Sequence, residues 1–347
     1  MKKMYFCGKK STGIMDNVNN SINEIFSNWN MSSKQKGDKY YTLAKQLDLG
    51  EVNRLKCTDL AIEQYEKTTD ESCLCNLAHC YFIKAHLSKE EADDWCKKSI
   101  ETHIAGSRDK AYQNQEFYRF YSVDNENIDS VLTKIKLSHP SRFNDPVDCP
   151  IAQEKGTDHL FPNKNVFDGL KVCCFGKVDF SRDRIQFSVD SKKWAYYGNK
   201  HTGICIRYCF FPNDLEKALS NKFVFKKVEY KSSFSFKRGI VADGLLSKSV
   251  QYEEENEWRI VWYDRNYGDN PYYDADKDSL LVPINLYNII CIYVGYHCPN
   301  NITRRVIEFA KQKKDVPLYV YRIHPNPENL FSMVKTQIYP IPNNRVD

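Results

Sequence analysis

Residues 252–263 decide the fold of the second half of the chain, and they read Tyr-Glu-Glu-Glu-Asn-Glu-Trp-Arg-Ile-Val-Trp-Tyr. The run is rich in aromatic and β-branched residues, which favours a strand over the alternative of a helix. Side chains of a strand alternate between its two faces. The apolar face would hold Asn256, Trp258, Ile260 and Trp262, and the charged face would hold Glu255, Glu257 and Arg259. We therefore predict a core-facing side and a side with two carboxylates.

The two carboxylates, Glu255 and Glu257, would lie roughly 7 Å apart on that strand face. The guanidinium of Arg259 beside them would keep at least one of them ionised. Two carboxylates in a cleft are suited to chemistry at a sugar carbon. The alternative is a solvated face of a sheet that carries salt bridges and no chemistry.

Composition limits the class of protein. A length of 347 residues suffices for two domains, and a formal net charge of +5 without a dense Lys/Arg cluster does not support nucleic-acid binding. Apolar runs such as 289–294 have the length of strands, so no membrane span is predicted. No apolar segment follows Met1 to Lys3, which argues against a signal peptide. We expect a cytoplasmic protein.

The 13 cysteines are spread over the chain without regular spacing. The only close pairs, Cys73 with Cys75 and Cys173 with Cys174, lack a second ligand pair at zinc-site spacing. We therefore expect buried, reduced thiols and predict no metal site.

Residues 1–110 are predicted to form a helical module. Leu74, Leu77, Ala78, Tyr81 and Phe82 recur at helical spacing and form an apolar stripe. The segment from 61 to 99 resembles one degenerate unit of the tetratricopeptide or Sel1-like repeats. One unit cannot bury both of its faces, so it should pack on helices of residues 15–55 or on the following domain. The resemblance implies a protein partner; a helical subdomain without a partner is the alternative.

Residues 111–347 are predicted to form a mixed domain, so the fold class is α+β. Short β-type runs indicate a sheet: they are 117–122, 172–175, 203–210, 223–230, 258–263, 280–283, 289–294 and 318–323. Two helical segments interrupt them, at 127–134 and 301–313.

Four motifs follow one another in this domain. They are the aromatic-basic strand Tyr118–Tyr121, the F-N-D-P-x-D turn at Phe143–Asp148, the W-x-x-Y-x-x-x-H-x-G segment at Trp194–Gly203, and K-S followed by E-x-E-W-R at Lys248–Arg259. In this order they resemble a bacterial family known as domain of unknown function twenty-nine seventy-one, over residues 115–340. Tyr252 stands where that family often has Trp.

The order of these parts is also similar to that of ADP-ribosyltransferases, which cleave NAD at the nicotinamide ribose. That resemblance implies NAD as substrate, with Glu257 stabilising an oxocarbenium-like transition state and Glu255 activating the acceptor. Further residues implied to bind NAD are Arg119, Tyr121, Tyr197, His201 and Asn144. The serine-based second motif of many such enzymes has no clear counterpart, unless Ser138 or Ser141 fills it.

Simpler roles stay open for several of these residues. Asn144 would form a tight turn with Asp145, and His201 would orient the loop before a strand. Trp194 would belong to the core, Gly203 would permit a close backbone approach, and Lys248 would pair with Glu255.

Two other functions remain open at this point. The first is a non-catalytic module that senses a nucleotide, or binds a protein, in a bacterial stress or phage-defence response. The second is a metal-dependent hydrolase, in which Asp145 and Asp148 join the two glutamates around a divalent ion. An enzyme would lose its turnover on replacement of Glu257, whereas a sensor has no turnover to lose.

Overall fold

A computed structural model describes residues 10–88, 91–108, 110–143, 148, 164–177, 191–211, 214–233 and 244–341. An N-terminal helical region precedes a large mixed sheet, which confirms the predicted α+β class. No helix in these described ranges is both long and apolar enough to cross a membrane.

The N-terminal region consists of α1 (Lys10–Ser27), α2 (Ser33–Ala44), α3 (Glu51–Glu66), α4 (Leu74–Leu87) and α5 (Ala92–Gly106). The Ser32 side chain accepts from the backbone N–H of Gln35 and the Gln35 side chain accepts from that of Ser32, so α2 begins with a capping box. The predicted stripe of α4 is largely buried, and most of it joins a core shared by α1 to α4. We call this region the helical module.

In the rest of the chain, the described residues form three short helices and a longer one besides the strands. The helices are α6 (Ile128–Thr133), α7 (Ser191–Tyr196), α8 (Asp214–Leu219) and α9 (Asn300–Ala310). The strands are β1 (Glu116–Tyr121), β2 (Lys134–Ser138), β3 (Leu170–Lys177), β4 (Ile204–Cys209), β5 (Phe223–Lys227), β6 (Glu229–Lys231), β7 (Ser247–Ser249), β8 (Glu257–Tyr263), β9 (Tyr273–Asp274), β10 (Ser279–Pro283), β11 (Ile289–Val294), β12 (Tyr319–Asn326) and β13 (Asn329–Tyr339).

The main sheet runs in the order β13-β12-β11-β4-β1-β3-β2-β10-β9, and β8 and β5 extend it from β3. β11 and β12 pair in parallel, whereas the other pairs of this sheet are antiparallel. β6 and β7 form a separate parallel pair. β3 is therefore the strand at which the branches meet.

The register defines two faces of this sheet, because residues paired across strands lie on the same side. We call the side that carries Glu257 the front face and the side that carries Trp258 the back face. One front-face row crosses six strands: it consists of Glu257, Gly176, Tyr118, Arg207, Cys291 and Tyr319.

The back face forms the largest core. Trp258, Ile260 and Trp262 of β8 pack there with Phe117, Phe175 and Phe225. Side chains of α6, α8 and α9 join the same core. The apolar alternation predicted for this strand is confirmed, and all seven residues of β8, including the charged ones, are buried.

The helical module packs on the front face. Phe82 of α4 and Ile100 and Ile104 of α5 share a core with Val261 and Tyr263 of β8. At the edge of this contact the Arg265 Nε lies 2.7 Å from Glu101 Oε1. The expectation that the module packs on the following domain is therefore confirmed.

One front-face position requires glycine. A Cβ atom on Gly176 would lie 2.2 Å from Cζ of Tyr118, so the Tyr118 ring crosses β3 where a side chain would otherwise stand. We expect Gly176→Ala to displace this ring and to lower the free energy of unfolding by about 1–3 kcal/mol. Urea denaturation measures the loss. The control is Gly268→Ala, where a Cβ would meet no described atom within 4 Å; equal stability of the two variants would contradict the prediction.

The long strand predicted for residues 252–263 is wrong at its beginning. Residues Val250–Glu255 form a 3-10 helix, and Asn256 has a left-handed backbone with φ 45°. Asparagine tolerates this conformation and often ends a helix, so the strand starts at Glu257. Glu255 therefore lies outside the strand, but its side chain still contacts Lys248, which also contacts Glu257.

Candidate functional site

A lysine whose side chain is 8% exposed lies at the centre of a charged group on the front face. The Lys248 Nζ lies 2.7 Å from Glu255 Oε2, 3.0 Å from Glu257 Oε2 and 3.5 Å from Asp148 Oδ2. The side chains of Lys248, Asp148 and Glu257 are each less than a tenth exposed. With Arg259, these residues form what we call the ion cluster, defined as Asp148, Lys248, Glu255, Glu257 and Arg259. The expected pairing of Lys248 with Glu255 is confirmed.

Arg259 is the second cation and is fully buried. Its Nε donates to Glu257 Oε1 over 2.7 Å, and its terminal nitrogens donate to Asp148 Oδ1 over 2.6 Å and to the Leu245 carbonyl over 2.9 Å. Hydrogen bonds to several acceptors offset the free-energy cost of removing a guanidinium from water. Arg259 therefore fixes Asp148 and Glu257 relative to each other.

Glu257 is held in its ionised form. Burial acts to raise its pKa, but the Arg259 guanidinium and then the Lys248 ammonium outweigh burial and lower the pKa to about 2. The backbone N–H of Glu257 also donates to the Tyr230 hydroxyl over 2.8 Å. The strand thus presents a fixed carboxylate in a site of low dielectric constant.

This pKa shift predicts a pH dependence of stability. A carboxyl whose pKa falls from 4.5 to about 2 on folding contributes stability above pH 4.5, and this is lost as the pH falls through about 2. We expect Glu257→Gln to lower the free energy of unfolding by on the order of 3 kcal/mol at pH 7 and by much less near pH 2. Urea denaturation at pH 7, 5 and 3 tests this; a difference from wild type that is the same at all three pH values would refute it.

Glu255 and Tyr197 form the solvent side of the ion cluster. The Glu255 side chain is 19% exposed, and its Oε1 accepts from the Tyr197 hydroxyl over 2.9 Å. Burial and the Glu255 carboxylate raise the pKa of Tyr197, so the hydroxyl stays protonated and donates. Tyr197 is itself 46% exposed. Among Tyr197 and the described residues of the ion cluster, these two side chains are the most exposed.

Local sequence explains why these groups converge. The left-handed residue Asn256 separates the 3-10 helix that carries Glu255 from the strand that carries Glu257, and both carboxylates accept from Lys248. Lys248 lies on β7, which pairs with β6 through Tyr230. Two short strands and one left-handed residue thus place the cation between the carboxylates.

Two residues expected to bind NAD lie on the other side of the sheet. The register places Arg119 and Tyr121 on the back face, opposite Glu257. Arg119 contacts Cys173 and lies over the Tyr121 and Phe175 rings at 5.2 and 5.7 Å, and the Tyr121 hydroxyl bonds to that of Tyr208. The structure therefore does not bring Arg119 and Tyr121 together with Glu257, because strand alternation directs them to the opposite face.

The remaining predicted residues divide between the cluster and its surroundings. The Tyr197 hydroxyl donates to Glu255 of the ion cluster, and its expected contact with NAD stays a prediction. His201 stacks on Trp194 with ring centroids 6.1 Å apart, and its carbonyl accepts from the backbone N–H of His297. No described contact joins His201 to the cluster, so its contacts are those of a loop-orienting residue. Asn144 lies outside the described residues.

Two expectations for the neighbouring segment are confirmed. Trp194 is fully buried in the core. A Cβ on Gly203 would lie 2.1 Å from the Tyr121 carbonyl oxygen, so this glycine permits the close approach of the two backbones.

The carboxylates converge on an ammonium group rather than on space for a metal ion. Lys248 Nζ occupies the point at which Asp148, Glu255 and Glu257 meet. Within the part of the chain that the structure describes, no group of three or more His, Cys, Asp or Glu side chains is arranged to hold a metal. Asp145, which the hydrolase alternative requires, lies outside that part.

Sequence reasoning missed Cys174 and Tyr230 at this site, and it grouped Asp148 with the two glutamates only as a metal ligand of the hydrolase alternative. Asp148 lies 111 residues from the arginine that it contacts. Cys174 pairs with Arg259 across the strands and donates to Glu257. One signal in the sequence could have indicated the contact between Asp148 and Arg259. Asp148 is the last residue of the F-N-D-P-x-D motif, whose other residues are typical of turns.

Comparisons with protein-family models, with curated proteins and with solved structures found no match to this chain.

Proposed function

We propose that the ion cluster is the active site of an ADP-ribosyltransferase-like enzyme that cleaves the bond between nicotinamide and ribose in NAD. The observation that carries this proposal is the charge of the cluster. Three carboxylates face two cations, which leaves one net negative charge when all five groups are ionised. Such a site favours a positively charged ligand.

NAD supplies positive charge at the reacting atoms. Its nicotinamide ring is a pyridinium, and when the C1′–N bond breaks the electron pair leaves with neutral nicotinamide. The ribose C1′ then carries the charge of an oxocarbenium-like transition state. A preorganised carboxylate near C1′ stabilises this charge without reorganisation.

The exposure of the two glutamates determines the roles that we assign to them. We assign contact with the substrate to Glu255, which is the carboxylate nearest to solvent, and a positioning role to Glu257, whose two oxygens contact Arg259 and Lys248. The acceptor, water or a protein side chain, adds its electron pair to C1′ and gives its proton to Glu255. Tyr197 orients Glu255 through its hydroxyl.

Incubation of the purified full chain with NAD tests the proposal. Chromatography of the mixture measures free nicotinamide, and calorimetry measures binding of NAD. Release of nicotinamide in proportion to enzyme concentration supports the proposal, and tight binding without release contradicts it.

A second candidate is a non-catalytic module that senses a nucleotide. The observation that favours it is that Glu257 and Asp148 are already bonded within the protein, so the cluster is stable without a ligand. The same two measurements separate the candidates, because a sensor binds NAD or a related nucleotide and releases no nicotinamide.

A further inference from the structure

A second group of side chains lies on the front face, on strands far from the ion cluster. We call it the tyrosine-lysine patch, and it consists of Arg207, Tyr293, Tyr319, Tyr321 and Lys335. The register places all five on the same side as Glu257. The patch thus shares a surface with the proposed active site and has no role in it so far.

The three tyrosine rings form a row. The ring of Tyr321 is tilted by only 23° from that of Tyr293 and by 19° from that of Tyr319, with centroids 5.4 and 6.3 Å apart. Tyr293 is buried, whereas Tyr319 is 38% exposed at the end of the row. A further flat ring can extend this row at Tyr319.

Two cations lie beside the rings. The Lys335 Nζ lies 4.7 Å from the centroid of Tyr321 and 5.5 Å from that of Tyr293. Among the described residues no carboxylate forms an ion pair with Lys335. Burial lowers the pKa of Lys335, and the Arg207 guanidinium lowers it further. Arg207 pairs with Glu116, which leaves the patch with net positive charge.

We propose that the tyrosine-lysine patch binds a purine nucleotide, with the base against Tyr319 and Tyr321 and the phosphate beside Lys335 and Arg207. Base stacking on aromatic side chains and charge-assisted bonds to phosphate are the two interactions that recognise this ligand class. An acidic peptide would use the cations and leave the row of rings without a matching partner.

The patch and the ion cluster are separate sites on one face of the sheet. Tyr319 and Glu257 belong to the same row and are five strands apart, or roughly 24 Å at the usual strand spacing. Lys193 of α7 lies between them and donates to the Tyr118 hydroxyl over 2.5 Å. One extended dinucleotide is shorter than this distance, so the patch binds its nucleotide independently of the proposed active site.

AMP is the probe that tests the patch, because it lacks the bond that the proposed enzyme cleaves. We expect calorimetry to show that Tyr319→Ala and Lys335→Gln each weaken AMP binding by about tenfold or more. Tyr319→Phe keeps the ring and should keep most of the affinity. The matched control is Tyr287→Ala, since Tyr287 is 48% exposed and has the Lys313 ammonium 5.5 Å from its ring centroid.

The outcomes separate this proposal from the proposed function. Loss of AMP binding in the patch variants but not in Tyr287→Ala supports the patch, even if the protein releases no nicotinamide. Absence of AMP binding to the wild-type chain, or equal affinity in all variants, overturns it. Tighter binding of a single-stranded oligoadenylate than of AMP also overturns it, because the ligand would then be a nucleic acid.

Discussion

Replacing Lys248 by methionine will lower the free energy of unfolding by about 3–5 kcal/mol at pH 7. Methionine keeps the length of the side chain and removes its ammonium. Asp148, Glu255 and Glu257 would then face one another with only Arg259 to offset their repulsion. Removal of one partner from a buried ion pair leaves an uncompensated charge, which is far more destabilising than the loss of a surface pair.

Urea denaturation of the full chain measures this effect. The matched control is Lys222→Met, because Lys222 pairs with Asp264 over 2.7 Å while its own side chain is 48% exposed. That variant should lose no more than about 1 kcal/mol. If Lys248→Met is no less stable than the control variant, the ion cluster does not contribute to stability as its burial indicates.

The second large effect concerns activity. We expect Glu255→Gln to reduce nicotinamide release from NAD by about a hundredfold or more, because the glutamine neither stabilises positive charge at C1′ nor accepts a proton. The free energy of unfolding should change little, since this side chain is the most exposed of the three carboxylates. The rate is measured under saturating NAD, and thermal unfolding is measured on the same samples.

Glu254→Gln is the control for this variant, because Glu254 is the exposed neighbour in the same 3-10 helix. It should leave the rate unchanged. A rate that is unaffected by Glu255→Gln would mean that Glu255 does not contact the reacting atoms, and a variant that is inactive and also unfolded would assign a structural role to this residue instead.

Local patterns were sufficient for much of the fold. The alternation of Trp258, Ile260 and Trp262 correctly predicted a strand with one face in the core. The helical spacing in residues 301–313 likewise predicted α9, and the stripe in α4 was found buried. These features depend on residues that are close in sequence, so the spacing of apolar residues is sufficient to predict them.

The candidate site depended on information that such patterns lack. Asn256 adopts a left-handed backbone that interrupts a run with strong β propensity, and this moves Glu255 off the strand. The resemblance to ADP-ribosyltransferases assigned Arg119 and Glu257 to one ligand, but the pairing of β1, β3 and β8 directs them to opposite faces. A shift of one residue in register exchanges the two faces of a strand. The sequence of a single strand does not determine its register with a strand that is distant in the chain.

Several strands were also missed, among them β2, which lies between β3 and β10, and the edge strand β13. β2 has the pattern Lys-Ile-Lys-Leu-Ser, which is too short to distinguish from the end of the preceding helix. β13 mixes polar and apolar residues with little alternation, as an edge strand with one neighbour can.

The contact between the helical module and the front face also sets an order of events during synthesis. Ile104 leaves the ribosome well before its partner Tyr263, which follows 159 residues later in the chain. At about 5–20 residues per second this interval lasts on the order of 10–30 s. Throughout that time the apolar side of α5 has no sheet to cover it, so the nascent chain passes through a stage at which chaperones have a surface to bind.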